Sequence, residues 1–405
     1  MNETHRLAGG AARALALASI LITPCIAPAA EVEDEIVVLG SRTPLAPSAV
    51  AGAVTRFGED DLASAQQPFA GQLLRTVPSA SVSRLGGFGA QTQIRLRGSE
   101  ANHTLVLIDG FELNDPATGS EFDFGHLRGT TIGSMELLPG PVGALWGSDA
   151  VAGAVALSTP RAAGAGLDGG LRLVGGEHDL VEATARAGWR GEGRELNLLV
   201  DRFETDGTNI ARAGDERDGY RSTTLSLGGR LELTDRLGLH LTARHLAAEL
   251  EFDPAPAPAF VPMDGDRATD LARTLVGLRA EYEGPGGWTH ALGLESLASD
   301  YDEFADGART NGRTGARRRA FLRSTLDFEA GLPGRQRLTL LGEAEREAFE
   351  QDGTASAFGD PNQHQTLLHR SLLAEWRWET PAGMHVAAAA RRDFNDAFAD
   401  ASQFR

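Results

Sequence analysis

The stretch SLLAEWRWE, residues 371–379, alternates apolar and polar side chains with a period of two. Leu372, Ala374, Trp376 and Trp378 fall on one side of an extended backbone, because successive side chains of a strand point to opposite faces. The pattern therefore predicts a β-strand with one apolar face. The same alternation recurs along the chain from residue 167 onward, near 181–189, 225–233 and 320–328.

The connections between these strands alternate between short and long. Short turns are predicted at 234–236, 284–287, 331–336 and 381–383, and long polar loops near 204–221, 251–272, 301–317 and 350–368. This alternation is typical of outer-membrane β-barrels, which carry short turns on the periplasmic side and long loops outside. A soluble β-sandwich is the alternative, because alternation alone does not say which face is wet. Eleven strands are predicted, near 167–175, 178–190, 194–203, 222–233, 237–250, 273–283, 288–300, 318–330, 337–349, 369–380 and 384–396.

Composition excludes several classes of protein. The 405 residues carry 38 basic and 56 acidic side chains, a formal net charge of −18. No nucleic-acid partner is expected, because neutralising phosphates requires a basic surface. A single Cys excludes a disulfide framework and a cysteine-based zinc site. No unbroken apolar run reaches the length of a membrane-spanning helix.

The first thirty residues have the features of a secretory signal peptide. A polar start ending in Arg6 precedes the apolar stretch LALASILI, residues 15–22, and Ala27 and Ala29 form an A-x-A cleavage pattern. A buried N-terminal helix is the alternative. Residues 1–30 are therefore predicted to be removed, and Cys25 leaves with them.

Residues 31–49 are predicted to be an exposed strand on a flexible linker. Four acidic residues precede Ile36, Val37, Val38 and Leu39, and prolines follow at 44 and 47. An exposed strand on a tether suits β-augmentation, in which a partner adds its own strand alongside.

Residues 50–160 are predicted to form a compact α/β domain. Helices are predicted at 60–67 and 69–76, and strands at 94–97, 105–108 and 135–138, with small-residue strand and turn material at 147–157. The second helix is expected to end at Val77, because the residue before a proline avoids helical geometry.

Several of these segments resemble one known family. The stretch EIVV, residues 35–38, resembles the TonB box. The stretches LLRTVPSASVSRLGGFGAQTQIRLRG (73–98), HTLVLIDGFELND (103–115) and ELLPGPVGALWGSDAVAGAVAL (136–157) resemble the plug of TonB-dependent outer-membrane receptors. Within that family, the order and the amino-acid sequences of these motifs are most similar to those of the cobalamin (vitamin B12) transporters. Pro139 stands where the family usually has Arg, which affects one expected ion pair between plug and barrel wall.

The resemblance implies a fold, partners and a mechanism. The expected fold is an α/β plug domain (50–160) followed by a transmembrane antiparallel β-barrel (167–405) in the outer membrane of a Gram-negative bacterium. Substrate docks on the plug and outer loops, and the box is released into the periplasm. There TonB, driven by its inner-membrane energising complex, pairs with the box residues and remodels the plug. The predicted box comprises Glu35, Ile36, Val37, Val38 and Leu39.

The resemblance also implies a calcium site in two acidic loops. Carried over residue by residue, it comprises Asn209, Glu216, Asp218, Asp253 and Asp264. Ca²⁺ accepts six to eight oxygen ligands, so acids from several loops could share one ion. Asn209 stands where another Asp is expected, and Glu216 is longer than the matching Asp. Ordinary solvated loop acids are the alternative.

Substrate contacts are predicted at two outward apices of the plug. The residues are Gln91, Thr92, Gln93, Asn114, Asp115, Pro116 and Thr118. They are loop residues with hydrogen-bonding groups, suited to the polar periphery of a corrin. Solvation of ordinary loops is the alternative.

No catalytic motif is present, so an enzyme is not expected. The sequence contains no HExxH, G-x-S-x-G or Walker pattern. The nearest functional alternative is a receptor of the same family for a ferric siderophore. A passive porin or structural barrel is the alternative from another class, and the box and plug argue against it.

The length leaves room for only part of a barrel. Plugged outer-membrane transporters have about 22 strands, whereas eleven are predicted here. The sequence-based expectation is a complete plug with about half a barrel, either a fragment or a truncated gene product, which does not transport alone. An open sheet would have two unpaired edges.

Overall fold

The computed structural model describes residues 39–43, 45–50, 52–211, 214, 216–256, 258–355 and 359–405. The chain divides into Met1–Glu35 and Ile36–Arg405, and every described residue belongs to the second unit. The predicted signal peptide and the box residues Glu35, Ile36, Val37 and Val38 lie outside the described residues. Within the described ranges, no helix is both long and apolar enough to cross a membrane.

Residues 55–158 form a small domain of mixed α/β structure. Its strands are β1 Thr55–Phe57, β2 Ala80–Arg84, β3 Thr92–Leu96, β4 Thr104–Ile108, β5 Phe111–Glu112, β6 Ser134–Pro139 and β7 Gly153–Ser158. Helix α1 spans Glu59–Ala65 and α2 spans Gly143–Trp146. Short 3-10 helices span Pro47–Ala49, Ala70–Thr76, Ala101–His103, Pro116–Thr118, Phe124–His126, Gly129–Thr131, Ser148–Ala150 and, in the large sheet, Pro285–Gly287.

The small domain is built around a five-stranded sheet in the order β1-β6-β7-β4-β5, in which β4 and β7 run parallel. The apolar run of β4 is buried on both faces, as expected for a central strand. Ile94, Ile108 and Leu137 lie in its core, and Leu275 and Leu297 of the large sheet belong to the same cluster. The small domain therefore shares its core with the large sheet.

Two local predictions in the small domain need correction. The first predicted helix ends at Ala65, two residues early, because Gln66 adopts a left-handed conformation with φ of 49°. The second predicted helix is a 3-10 helix, Ala70–Thr76. Strands β1 and β2 were not predicted, and they contain only three and five residues.

The rest of the chain forms one twelve-stranded antiparallel sheet, in which each strand pairs with its neighbour in sequence. The strands are β8 Gly166–Gly175, β9 Val181–Gly191, β10 Arg194–Thr205, β11 Tyr220–Thr234, β12 Leu237–Glu251, β13 Arg267–Glu283, β14 Trp288–Ala305, β15 Ala308–Phe328, β16 Arg335–Gly353, β17 Gln363–Glu379, β18 His385–Asn395 and β19 Ala401–Phe404. All eleven predicted strands are present. The twelfth, β19, was missed because it has only four residues.

The connections differ in length at the two ends of this large sheet. We call the end with the long connections 206–219 and 252–266 the loop end, and the opposite end the turn end. One predicted loop is wrong: instead of a long loop at 301–317, β14 and β15 continue to a two-residue turn at Asp306 and Gly307. Both turn residues have positive φ, which this tight hairpin requires.

The two faces of the large sheet have different surroundings. Among the described residues, the inner face contacts the small domain and the outer face does not. Outer-face side chains such as Leu171, Leu322 and Leu372 are 71%, 54% and 60% exposed. Four of the five tryptophans lie on the outer face close to the turn end, namely Trp189, Trp288, Trp376 and Trp378. An apolar outer face with an aromatic row at one rim is typical of a membrane-facing barrel wall.

Candidate functional site

Buried ion pairs hold the small domain against the inner face. Arg128 is fully buried, and its guanidinium lies 2.7 Å from Glu182 and 3.4 Å from Asp201 on β9 and β10. It also lies over the ring of Phe203, 4.2 Å from the centroid. Thr130 donates a further hydrogen bond to Asp201. One cation of the small domain thus contacts two acids of the sheet.

A second group of ion pairs joins Glu112 of the small domain to β15. Arg317 is fully buried and lies 3.1 Å from Glu112, while Arg319 lies 3.3 Å from the same carboxylate. Arg319 also pairs with Glu343 on β16. Each of these two buried cations therefore has a carboxylate partner on the other side of the interface or on the neighbouring strand.

Asp115, a predicted substrate contact, anchors the small domain to the sheet. Its side chain is fully buried and accepts hydrogen bonds from Arg273 at 3.1 Å, Ser299 at 2.6 Å and Tyr301 at 3.0 Å. It also caps the 3-10 helix Pro116–Thr118 by accepting from the Ala117 amide. Substrate contact by Asp115 stays a prediction, and it requires the plug apex to rearrange first.

Asn114 is likewise buried, with its amide used inside the small domain. Its oxygen accepts from the Val106 amide at 2.7 Å, and its nitrogen donates to the carbonyls of Thr104 and Ser120. These bonds tie the apex to β4. A contact between Asn114 and a substrate therefore also stays a prediction that requires rearrangement.

The remaining predicted substrate residues are divided between surface and interior. Gln91 is exposed, Thr92 is buried, and Gln93 is half-buried with its amide nitrogen 2.9 Å from Glu121. Pro116 is buried, and Thr118 donates to the carbonyls of Asp115 and Glu121. Of the seven predicted residues, Gln91 is the one whose side chain is exposed.

Four aromatic rings that the sequence did not single out meet beside this apex. Phe69 and Phe88 of the small domain pack on Phe203 and Tyr220 of the sheet, with ring centroids 5.4–6.0 Å apart. Tyr220 also shares a 3.0 Å hydrogen bond with His126. Phe203 and Tyr220 flank the 206–219 loop. The cluster therefore fixes the base of that loop against the small domain.

The acids of the two loops converge at the loop end. Carboxylate oxygens of Glu216, Asp253 and Asp264 all lie within 4.8 Å of one another. Asn209 donates a 2.9 Å hydrogen bond to Asp264. Asp218 accepts from the Ile210 amide at 3.2 Å on the same loop. The structure thus brings three of the five predicted metal ligands together, with the other two nearby.

Burial and the neighbouring acids raise the pKa of two of these carboxyl groups. Burial, together with the charge of Asp253, raises the pKa of Asp218 to about 6. Burial and the charges of Asp264 and Asp266 also raise the pKa of Glu216. A bound divalent cation would relieve this repulsion, so the donor set of hard oxygens fits Ca²⁺.

Gly214 is a further residue of this cluster that the sequence did not suggest. It has a positive φ of 105°, and a Cβ atom there would lie 2.0 Å from the Asp264 carboxylate. Only glycine therefore allows the 206–219 loop to approach the 252–266 loop this closely.

Leu39, the last residue of the predicted box, is packed into the small domain. Leu39 is buried, its amide donates to Glu136, and its carbonyl accepts from Trp146. The prediction of an exposed strand is therefore wrong for Leu39, because the residue packs in a core cluster of the small domain.

Arg42 continues this attachment. Its guanidinium donates to both oxygens of Glu343 at 2.9 and 3.1 Å and lies over the Trp146 ring. Ser41 donates to Glu375 at 2.9 Å. Arg42, Glu343 and Glu375 carry no local motif, because their pairing depends on contacts between residues some 300 positions apart in the chain.

These features define a class: a small plug-like domain, held by buried ion pairs, on the inner face of an antiparallel sheet with an apolar outer face. Residues 46–154 match the family model described as TonB-dependent Receptor Plug Domain. The sequence-based resemblance to TonB-dependent receptors is confirmed, and we call the small domain the plug domain from here on.

The comparisons with individual proteins agree on this class. The chain is 28% identical over 245 residues to a protein named Vitamin B12 transporter BtuB from Vibrio vulnificus (strain YJ016). That match covers 59% of this chain and 40% of the relative. The siderophore receptor PirA from Acinetobacter baumannii aligns with a TM-score of 0.69 at 18% identity, over 86% of this chain and 57% of that one.

A variant of the ferric enterobactin receptor PfeA from Pseudomonas aeruginosa aligns with a TM-score of 0.68 at 17% identity, over 87% of this chain and 59% of that one. At such identities these likenesses establish the fold alone. The chain spans 40% of the length of the vitamin B12 relative and somewhat more than half of the two solved receptors. All three relatives are named as transporters or receptors, and none as an enzyme.

Proposed function

We propose that this chain belongs to a TonB-dependent receptor of the outer membrane that takes up a large, scarce nutrient, most specifically a cobalamin or related corrinoid. The observation that supports cobalamin as the substrate is the cluster of Glu216, Asp253 and Asp264 at the loop end. It lies in the two loops where the resemblance to cobalamin transporters predicts a calcium site. The relative named as a vitamin B12 transporter supports the same choice.

Glu216, Asp253 and Asp264 would hold the calcium ion, with Asp218 and the Asn209 amide beside them. Calcium would supply a positive charge that draws the 206–219 and 252–266 loops together. Because Tyr220 ties the base of the first loop to Phe69 of the plug domain, ordered loops would cover the apex that carries Gln91. The substrate would then be held between loops and plug.

The energy for uptake would come from TonB. An outer-membrane receptor has no energy source of its own, so the plug must be moved from the periplasmic side. TonB would pair with residues 35–39. Since Leu39 is buried against Glu136 and Trp146, this residue must leave its core before it can join a partner's strand.

A ferric siderophore is the second candidate substrate. The solved receptors with the same fold bear siderophore names, but fold likeness at this identity does not select a substrate. A passive porin is less well supported, because a plug domain held by buried ion pairs would obstruct passive flow.

Equilibrium binding of cyanocobalamin to the purified chain in detergent tests the proposal. We expect removal of calcium by a chelator to weaken binding about tenfold, a typical coupling between two sites. The double variant Glu216→Gln, Asp264→Asn should bind weakly with or without calcium. Glu204→Gln, an exposed acid paired with Arg202 near the same end, is the matched control and should behave as the parent. Calcium-independent binding of a ferric siderophore, with no cobalamin binding, would overturn the assignment.

Deletion of residues 35–39 tests the link to TonB. In cells that produce the whole receptor to which this chain is assigned, we expect the deletion to abolish nutrient uptake, while surface binding of the nutrient is unchanged. The physical reason is that binding uses the loop end, whereas energy enters at the opposite side of the plug. Uptake that survives the deletion would contradict the mechanism.

A further inference from the structure

Three neighbouring arginines on the outer face of the large sheet have no ion-pair partner among the described residues. Arg318 on β15 lies directly opposite Arg346 on β16. Arg370 on β17 pairs with Ala344, which precedes Arg346 by two positions and points to the same face. All three side chains are exposed. In the described part of the chain, no carboxylate lies within ion-pair distance of any of them.

This arrangement is unfavourable in isolation. Side chains directly opposite on antiparallel strands have Cβ atoms about 5 Å apart, and diagonal neighbours are about 7–8 Å apart. Like charges at these separations repel each other. Two outer-face arginines closer to the loop end are paired, Arg202 with Glu204 and Arg221 with Glu249. An anion from outside the chain would offset the repulsion among these three arginines.

An apolar groove begins beside these charges. It has a volume of about 480 Å³ and is lined by small residues on adjacent strands, Ala320, Gly342 and Ala344. The larger side chains of Leu322, Leu372 and Phe394 also line it, and so does Arg370. The same depression is thus apolar along its length and basic at one rim.

The arginines at the basic rim lie at the height where a membrane-spanning strand would emerge from the hydrocarbon core of the bilayer. Trp288, in the tryptophan row at the turn end, pairs with Leu326. Arg318 is eight residues farther along β15, about 27 Å along the strand at 3.4 Å per residue. Strands in barrels are tilted by about 40°, so the height is about 20 Å, close to the apolar band of about 25 Å.

We propose that the outer face of β15–β17 binds a phosphorylated lipid of the outer leaflet. Its phosphate contacts Arg318, Arg346 and Arg370, and one acyl chain lies in the groove over Gly342. Arginine suits this role because its guanidinium donates two parallel hydrogen bonds to phosphate oxygens. An acyl chain fills the groove, which free phosphate does not. The proposal rests on the outer-membrane placement above, and it is independent of the transported substrate.

Lipid binding is measured with the full chain in phosphatidylcholine nanodiscs that contain a small fraction of diphosphoryl lipid A, by native mass spectrometry of the bound lipid. We expect the triple variant Arg318→Gln, Arg346→Gln, Arg370→Gln to bind the phosphorylated lipid about a hundredfold more weakly. Each arginine near an anionic lipid contributes a factor of about ten or less to the affinity. Gly342→Leu fills the groove and should cost about tenfold in affinity for the lipid.

The matched control is the triple variant Arg202→Gln, Arg221→Gln, Arg309→Gln, which removes the same charge from arginines that already have carboxylate partners. It should bind as the parent does. An equal loss of lipid affinity in both triple variants would overturn the site. Binding of dephosphorylated lipid A as tightly as diphosphoryl lipid A would overturn it too. If inorganic phosphate alone competes fully and Gly342→Leu has no effect, the site binds phosphate and the lipid proposal fails.

Protease protection of the turn-end connections reports membrane insertion separately. A chain that inserts but shows no preference for the phosphorylated lipid contradicts this inference alone. A chain that does not insert contradicts the outer-membrane placement as well.

Discussion

The two faces of the large sheet use arginine in opposite ways. On the inner face, Arg273 and Arg317 are buried and each lies close to an acid of the plug domain, Asp115 and Glu112. On the outer face, leucines predominate, and Arg318 and Arg346 lie opposite each other with no acid in ion-pair distance among the described residues. The inner pattern is that of a protein interface, and the outer pattern is that of a lipid-facing wall with a basic rim.

The inner face shows how a plug can be both held and movable. Replacing a buried ion pair by apolar groups often leaves protein stability unchanged or raises it. These ion pairs therefore fix the position of the plug domain more than they strengthen its binding to the sheet. Arg128, Arg273 and Arg317 each fix one part of the plug domain through specific partners. Water can solvate these groups once the plug shifts, whereas an apolar interface would resist its own exposure.

Breaking one inner pair should have the largest effect on stability. We expect Arg128→Met to lower the free energy of unfolding by about 3–5 kcal/mol, because Glu182 and Asp201 remain buried with less compensation. Urea titration of the chain in lipid vesicles measures this change. Asp201 keeps its hydrogen bonds from Thr130 and Thr184, which favours the lower end of the range.

Arg202→Met is the matched control for this variant. Arg202 is on the outer face and pairs with Glu204 at 2.7 Å, but both side chains are about half exposed. An exposed pair of this kind contributes about 0–1 kcal/mol. Equal losses in Arg128→Met and Arg202→Met would show that the two faces do not differ as the structure indicates.

The strand pattern was predictable because it is local. Alternation with a period of two located all eleven longer strands, and turn residues located most of their ends. The hairpin at Asp306 and Gly307 was missed because the polar sequence around it resembles a loop, although it continues the strands above the apolar band. Strand β19 was missed because four residues are too few for a period to show.

The partners of individual side chains were not predictable in the same way. Alternation does not reveal which face touches the plug, so the roles of Arg128 and Arg317 depended on the register of distant strands. Asp115 and Asn114 were predicted as substrate contacts because they lie in a polar apex. In the structure both side chains are buried and form hydrogen bonds within the protein. The acids at 216, 253 and 264 did converge, because loops at one end of a meander lie close together.

A charge placed in the outer leucine band should have a smaller effect than the loss of Arg128. Leu322 lies on β15 four residues from Arg318, in the direction of the tryptophan row, and faces outward. We expect Leu322→Arg to lower the free energy of unfolding in vesicles by about 2–4 kcal/mol, the cost of an arginine near the bilayer midplane.

Ala316→Arg introduces the same residue on the same strand and face, two positions from Arg318 toward the loop end. At that level the cost falls to about 0–1 kcal/mol, because the guanidinium reaches the headgroups and water. The difference between the two variants measures how steeply the environment changes along the outer face. Equal costs at both positions would mean that this face meets water along its whole height, as in a soluble sandwich, and the unpaired arginines would then mark no membrane boundary.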